Sequence, residues 1–263
     1  MTGQLPPGEG DHYLHRSVPG AQVVTTRPLL RARENIADTV AARAMMCVYG
    51  AAGCGKTLAV NCGLRELEPG EEVRQITFRD RTTARAVRYE IFTALGLQGD
   101  APAHPSEFDR LLKDALATKP RTLVVDEAQW LNSEAFEYFR YLWDDYATEL
   151  ALIFVGGPGC YRVLRREPML SSRVFIWQGF KPLTRAEVLE TIPLFHPVWE
   201  TASSEDIGYA DEHAAHGNFR NWSWLTAQVL RGLKRLGREQ VDRDVIRWTF
   251  SYLGSNGSVG EEE

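Results

Sequence analysis

Eight consecutive residues, Gly50-Ala51-Ala52-Gly53-Cys54-Gly55-Lys56-Thr57, fit the pattern G-x-x-x-x-G-K-[ST] at every fixed position. Glycines let a backbone curl until successive N–H groups point inward at phosphate oxygens, and the helix that follows adds the partial positive charge of its N-terminus. In such a Walker A loop Lys56 reaches the β- and γ-phosphates of a nucleotide, and the Thr57 hydroxyl joins the shell of a Mg²⁺ ion. The expected ATP-binding segment is Gly50, Ala51, Ala52, Gly53, Cys54, Gly55, Lys56, Thr57 and Leu58. A chance glycine turn would share the composition but not the context. Met45-Met46-Cys47-Val48-Tyr49 ahead of the loop is a short apolar run, and Thr57 to Arg65 behind it carries apolar residues at helical spacing. Strand, loop and helix is the arrangement the motif requires.

A second constellation lies about 70 residues on, where the partner motif of such loops is sought. Arg121-Thr122-Leu123-Val124-Val125-Asp126-Glu127 is a continuous apolar run closed by two carboxylates. It reads as a central parallel strand that delivers acids to its C-terminal edge, the Walker B pattern. Asp126 would hold the Mg²⁺ water shell, and Glu127 would polarise the attacking water. An ordinary buried strand capped by exposed acids would look the same in isolation.

The elements that must position these groups alternate along the chain. Val73 to Phe78 alternates as a half-buried strand after the turn signal Pro69-Gly70. Thr82 or Thr83 caps a helix reaching about Leu95, with Val87, Ile91, Phe92 and Leu95 on one face. Ser106 with Asp109 three residues on has the form of a capping-box variant. Ser133 to Thr148 is a helix rich in aromatics, read as a core-facing stripe in preference to a base-stacking surface. Leu150 to Val155 and Val174 to Trp177 complete five strands, and Tyr161, Val163 and Leu164 mark a helix between them. A short entry helix is expected from Ile36 to Ala44. Alternating strands and helices imply an α/β fold with a doubly wound, mostly parallel five-stranded sheet.

From Leu183 the strand signal stops, and helical stretches follow near Thr184–Glu187, Ser204–His213, Asn218–Leu236 and Asp242–Tyr252. The expected organisation is a flexible tail over 1–20, a nucleotide-binding core over 21–182, a helical lid over 183–253 and a disordered acidic tail over 254–263.

Bulk composition narrows the setting. Hydrophobic residues make up 44% and charged residues 25%, ordinary for a globular protein in water. No window approaches the roughly 18 uninterrupted apolar residues of a membrane span, so no membrane partner is expected. Residues 1–20 lack the apolar region of a signal peptide, and the four cysteines form no C-x-x-C pair. Both features suit a reducing, cytoplasmic setting better than a disulfide framework or a zinc site. A net charge of −5 means that any nucleic-acid binding must come from a local basic surface.

Walker A, a Walker B strand ending Asp126-Glu127 and a helical lid together resemble the AAA+ ATPases. Two further segments carry the likeness. Leu170-Ser171-Ser172-Arg173 stands where that superfamily has its arginine finger, and His216-Gly217-Asn218-Phe219-Arg220 looks like the sensor-2 motif of the initiator-type branch. The resemblance makes Arg173 and Arg220 catalytic arginines, apt because the guanidinium fork neutralises transition-state charge. A surface ion pair is the competing reading of Arg173. One departure stands out: many AAA+ proteins end the fourth strand with a polar sensor-1 residue, whereas this chain has Gly156-Gly157.

Within AAA+ the sequence resembles the small DNA-transposition ATPases, the MuB, TnsC, TniB and IstB group, over roughly residues 25–250. The likeness rests on compact size, the form of the phosphate loop, Val-Val-Asp-Glu-Ala-Gln, and Ser-Arg-Val-Phe-Ile-Trp leading to Pro182-Leu183-Thr184. It implies slow, assembly-stimulated hydrolysis of ATP with Mg²⁺, and a homo-oligomer that forms a hexamer-like ring or helical filament on duplex DNA. The implied partners are a transposase or integrase and a target-selector protein or RNA-guided complex. Arg79, Arg81, Thr82, Thr83 and Arg85 offer a strip for phosphate contacts, since arginine forks, hydroxyls and a helix N-terminus position DNA without reading bases. Locally the same strip reads as a solvated helix start with Arg–Glu pairing. The alternative function is a nucleotide switch in a signalling, defence or secretion assembly that never touches DNA. A small-molecule kinase fits poorly, because an Asp-Glu pair suits water activation and no acceptor-binding segment is evident.

Overall fold

Three runs of the chain, Met45–Gly50 (β1), Arg121–Asp126 (β3) and Leu150–Gly156 (β4), are almost wholly buried along their length. Strands covered on both faces need apolar side chains on both, which is why these runs are continuous in place of alternating. Glu72–Thr77 (β2) and Val174–Phe180 (β5) bury only some of their residues and take the two edges. The sheet order is β2-β3-β4-β1-β5, and every neighbouring pair is parallel. The expected "mostly parallel" sheet is therefore parallel throughout.

This computed structural model describes residues 18–67, 71–79 and 82–252. They divide into two compact units, one spanning Arg27–Phe180 and the other joining the residues before Arg27 to those from Lys181 onward.

In the first unit, helices α1 (Arg27–Ala41), α2 (Lys56–Leu64), α3 (Ala84–Ala94), α4 (Pro105–Leu116), α5 (Ser133–Trp143), α6 (Pro158–Arg166) and the short α7 (Pro168–Ser171) connect the strands. The α1 helix starts nine residues before the expected Ile36, because Pro28 is tolerated in a first turn and Leu29, Ala32, Ile36, Thr39 and Val40 form one buried stripe. Thr83 caps α3, its side chain accepting from the Ala86 N–H. The Ser106 cap is not formed: α4 opens one residue earlier with Pro105, and His104 stands at the cap without a side-chain bond. The aromatic helix α5 stops at Trp143, short of Thr148. Asp145 there accepts from the Ala147 N–H, and the Thr148 hydroxyl donates to the Leu142 carbonyl, a local turn that competes with another helical turn. Phe136, Tyr138 and Phe139 of α5 are core residues, and Phe136 and Phe139 meet Phe154 edge-on at 5.1 and 5.6 Å between ring centres.

The second unit is helical: α8 (Arg185–Phe195), α9 (Ser204–Ala210), α10 (Phe219–Leu236) and α11 (Arg243–Tyr252). Thr184 and Glu187 close a reciprocal capping box at the start of α8. Trp199 and Trp222, both fully buried, pack edge-on at 5.1 Å, and each indole N–H is satisfied, by Thr226 and Asp211 respectively. Val18 and Ala21 are buried in this same core, and the Gln22 N–H donates to the Phe195 carbonyl. Residues 18–26, expected as the end of the tail and the core entry, thus pack with the helical unit. Residues 1–17 and the tail expected over 254–263 lie outside the described residues.

Candidate nucleotide-binding site

The phosphate loop begins where β1 ends. Gly50 has φ 151°, and a Cβ there would sit 2.2 Å from the Phe180 carbonyl oxygen, so the strand can turn off the sheet only at glycine. Gly55, at φ 87°, is the left-handed cap from which α2 starts. The first turn of α2 holds no acidic residue to neutralise its N–H groups. Lys56 folds its ammonium back over the loop, donating to the carbonyls of Gly50 (2.9 Å) and Ala51 (2.8 Å). Ala51, Ala52 and Thr57 are exposed; Gly53, Lys56 and Leu58 are half-buried. Cys54 is buried beneath the loop, and burial pushes its thiol above the ordinary value, which keeps it protonated.

The carboxylates leave the sheet on the same edge. Val125 pairs with Phe154 and Phe154 with Cys47, so β3 and β1 run out side by side across β4. Burial pushes the Asp126 carboxyl above its ordinary value; the Glu127 N–H (2.8 Å) and the Lys56 charge oppose this, and the Glu127 charge adds to it. Glu127 is exposed and stands at φ 55°, the left-handed region that non-glycine residues enter at a cost of roughly 1–2 kcal/mol. That turn starts a single 3₁₀ turn, Ala128–Trp130, which carries Gln129. The Gln129 amide donates to the Glu127 carboxylate and accepts from the Gly157 N–H at 2.8 Å. Gln129 was not singled out among the expected site residues.

These residues fit a nucleotide and its cation. The loop has a backbone that glycine permits at Gly50 and Gly55, a lysine over it and a helix N-terminus with no acid in its first turn. A half-buried carboxylate near that lysine is suited to Mg²⁺, which typically takes one or two protein carboxylates with the rest of its shell from water and phosphate. Lys56 and the α2 N–H groups would hold phosphates, and Thr57 and Asp126 the cation.

Arg173 follows α7, with its Nε on Asp144 (3.1 Å) and a terminal nitrogen on the Met169 carbonyl (2.7 Å); Asp144 also pairs with Arg140. Its nearest partners are thus those of an ion pair within the unit. In the helical unit Asn218 caps α10 through the N–H groups of Arg220 and Asn221, and the Arg220 side chain is exposed. Asp211 organises that turn, accepting from the Gly217 N–H (2.6 Å) and the Trp222 indole (3.1 Å). In the arginine strip Arg79 and Arg85 are exposed. Thr82 is not available as a surface hydroxyl: it is 4% exposed, and its N–H donates to the Trp130 carbonyl. Thr83 is occupied as the α3 cap, and Arg81 lies outside the described residues.

Residues 40–164 match the AAA domain family, and the chain has the P-loop AAA+ fold. A curated relative from Staphylococcus aureus, described as a potential ATP-binding protein, is 28% identical over 138 residues. The match covers 47% of this chain and 47% of that protein, so the chain aligns with less than half of its relative's length. Among solved structures, Cdc6p from Pyrobaculum aerophilum is similar at TM-score 0.68 and 18% identity, over 92% of this chain and 70% of that one. The ORC1 protein of Aeropyrum pernix, solved in complex with DNA, is similar at TM-score 0.65 and 18% identity, over 88% and 66%. No helix among the described residues is long and apolar enough to cross a membrane.

Proposed function

We propose that the chain binds ATP with Mg²⁺, hydrolyses it slowly, and uses the nucleotide state to control assembly of its own copies on duplex DNA. The observation that carries the reading is the cradle itself: a glycine-dependent loop with Lys56 folded over it and the Asp126-Glu127 pair on the same sheet edge. In hydrolysis Glu127 accepts a proton from the water that attacks the γ-phosphorus, as the bond from that phosphorus to the ADP oxygen breaks. Arg173 and Arg220 are the arginines assigned to neutralising charge, and in that role Arg173 would exchange Asp144 for phosphate.

The DNA part rests on exposed Arg79 and Arg85, and on the DNA complex in which the similar ORC1 protein was solved. The finer reading, taken from the sequence resemblance, is a transposition regulator that marks a target and recruits or activates a transposase. A switch acting within a protein assembly is the second reading. It is favoured by the net charge of −5 and by the engagement of Thr82, Thr83 and Arg88 inside the fold.

The test is assembly of the purified protein on random-sequence duplex DNA in ATP, a slowly hydrolysed analogue, ADP or no nucleotide, read by gel shift and negative-stain imaging. Analogue-dependent rings or filaments on DNA are expected. Oligomers that ignore DNA in every nucleotide state would move the assignment to the protein-assembly switch.

A further inference from the structure

Beside the carboxylates lies a side chain that neither phosphate nor cation binding uses. Gln129 stands half-buried on the 3₁₀ turn after Glu127 and bridges two strand ends. The Gly157 backbone N–H can only donate, so it fixes the amide: Oε1 faces Gly157 and Nε2 faces outward to the Glu127 carboxylate. One rigid amide therefore ties the acid at the end of β3 to the end of β4.

The strand end opposite is shaped around that amide. A Cβ on Gly156 would lie 2.8 Å from Gln129 Oε1 and 3.0 Å from the Gln129 backbone nitrogen. A Cβ on Gly159 would lie 3.3 Å from the Gln129 Cβ. At Gly157 the nearest atoms, all of Gln129, are 3.8 Å away or more, so a side chain there would lie against the amide without overlap. The glycines that leave β4 without a polar side chain of its own are the ones that make room for Gln129.

We propose that Gln129 is the positioning residue of this site: it supplies from the β3 side the polar group that β4 lacks, and holds the Glu127 carboxylate in the orientation needed to receive the proton of the attacking water. The inference rests on the hydrolysis reading above. Gln129 acts through Glu127, whose side chain is exposed on a left-handed backbone and in need of a tether. A carboxylate free to rotate spends much of its time aimed away from the water, and a charge-assisted hydrogen bond removes that freedom.

The experiment compares the wild-type full chain with Gln129→Ala, Gln129→Glu and the double variant Gln129→Ala/Gly157→Asn. The readouts are ATP turnover, affinity for a fluorescent ATP analogue, thermal melting and amide exchange at Gly157. Gln129→Ala is expected to lower kcat about ten- to hundredfold, the worth of one hydrogen bond to a charged group, with KM and analogue affinity unchanged. Gly157 exchange should accelerate in that variant. Gln129→Glu keeps the size of the side chain and the acceptor for Gly157 but loses the donor. It should retain Gly157 protection and melting while turnover stays as low as in Gln129→Ala. The double variant returns an amide from the β4 side, at a helix N-cap position that Asn suits, and should recover part of kcat. Wild-type turnover in Gln129→Ala and Gln129→Glu would overturn the proposal. So would a loss of kcat that comes together with lower affinity and lower melting in both variants, which would make Gln129 structural. A wild-type protein that binds ATP and never turns it over would instead defeat the hydrolysis reading, and this inference with it.

Discussion

Two stretches leave the C-terminal edge of the same sheet and could both meet phosphate, yet they are built differently. The loop after β1 turns toward phosphate: the first turn of α2 holds no acid, and Lys56 folds back over the loop onto the carbonyls of Gly50 and Ala51. The stretch after β2 has committed most of its groups inward. Thr82 is buried, Thr83 caps α3, and Arg88 is paired at 2.6 Å with Asp109, which also accepts from the Tyr138 hydroxyl. A residue type suited to phosphate is therefore a weak guide until its other obligations are known. Arginines and threonines that open a helix are as useful to the fold as to a ligand, whereas a glycine loop with a lysine serves little except an anion.

The largest effect expected from this contrast is at Lys56. Lys56→Ala should weaken ATP-analogue binding on the order of a hundredfold or more, judged from the loss of a charge-assisted phosphate contact. Melting of the nucleotide-free protein should fall far less than affinity, because the bonds to Gly50 and Ala51 that are lost lie within one loop. A fall in melting that matches the fall in affinity would show the loop to be structural. Next comes Glu127→Gln, expected to leave ATP affinity intact and cut turnover roughly a hundredfold or more, the usual worth of a general base. Normal turnover would transfer the water to another group.

Asp126 separates the two regions by pH and stability. Burial raises its carboxyl, so the folded protein holds that proton more tightly than the unfolded chain. The carboxylate thus costs stability that appears as pH rises from the ordinary value of 3.8 through the raised folded value, and the cost is fully present at neutral pH. Asp126→Asn should raise the melting temperature of nucleotide-free protein at neutral pH by about 2–4 °C per kcal/mol relieved, with the gain vanishing in acid, and should abolish Mg²⁺-dependent ATP affinity. A lowered melting temperature at neutral pH would contradict the buried-charge account.

In the second stretch, Arg79→Glu with Arg85→Glu should lower duplex affinity and reduce the salt slope of binding by about two, leaving ATP affinity unchanged. An unchanged slope removes this face as a DNA contact. Arg88→Ala should act on stability alone, by roughly 1–2 kcal/mol in urea unfolding, since it breaks a partly buried pair and leaves Asp109 and Tyr138 to each other. A loss of DNA affinity at constant stability would reverse the reading of that arginine.

The contrast also marks what the sequence could and could not reveal. The phosphate loop was legible because every fixed position carries its own physical reason, and β1, β3 and β4 were legible because strands buried on both faces are continuously apolar. The end of α5 was not: the aromatic spacing suggested that the helix continued, whereas Asp145 and Thr148 form a local turn that stops it at Trp143. The start of α1 was placed nine residues late, at Ile36, although a first turn accepts Pro28 and the buried stripe already begins at Leu29. Thr82 was misjudged because nothing local distinguishes a hydroxyl at the surface from one under Leu131, whose strand-like bridge buries it. Gln129 left a signal that was readable in principle. A polar residue two places after Asp126-Glu127 and a Gly156-Gly157 pair at the next strand end are complementary, but only the parallel register of β3 against β4 brings them together.

The central claim is that the loop after β1 and the acids after β3 form one Mg²⁺·ATP site. It is tested most directly by titrating the nucleotide-free protein with a fluorescent ATP analogue, with Mg²⁺ and with chelator, in wild type, Lys56→Ala and Asp126→Asn side by side. The account predicts tight binding in wild type that weakens in chelator, weak binding in Lys56→Ala under both conditions, and binding in Asp126→Asn that no longer responds to Mg²⁺. Wild-type affinity in Lys56→Ala, or a full Mg²⁺ response in Asp126→Asn, would contradict it.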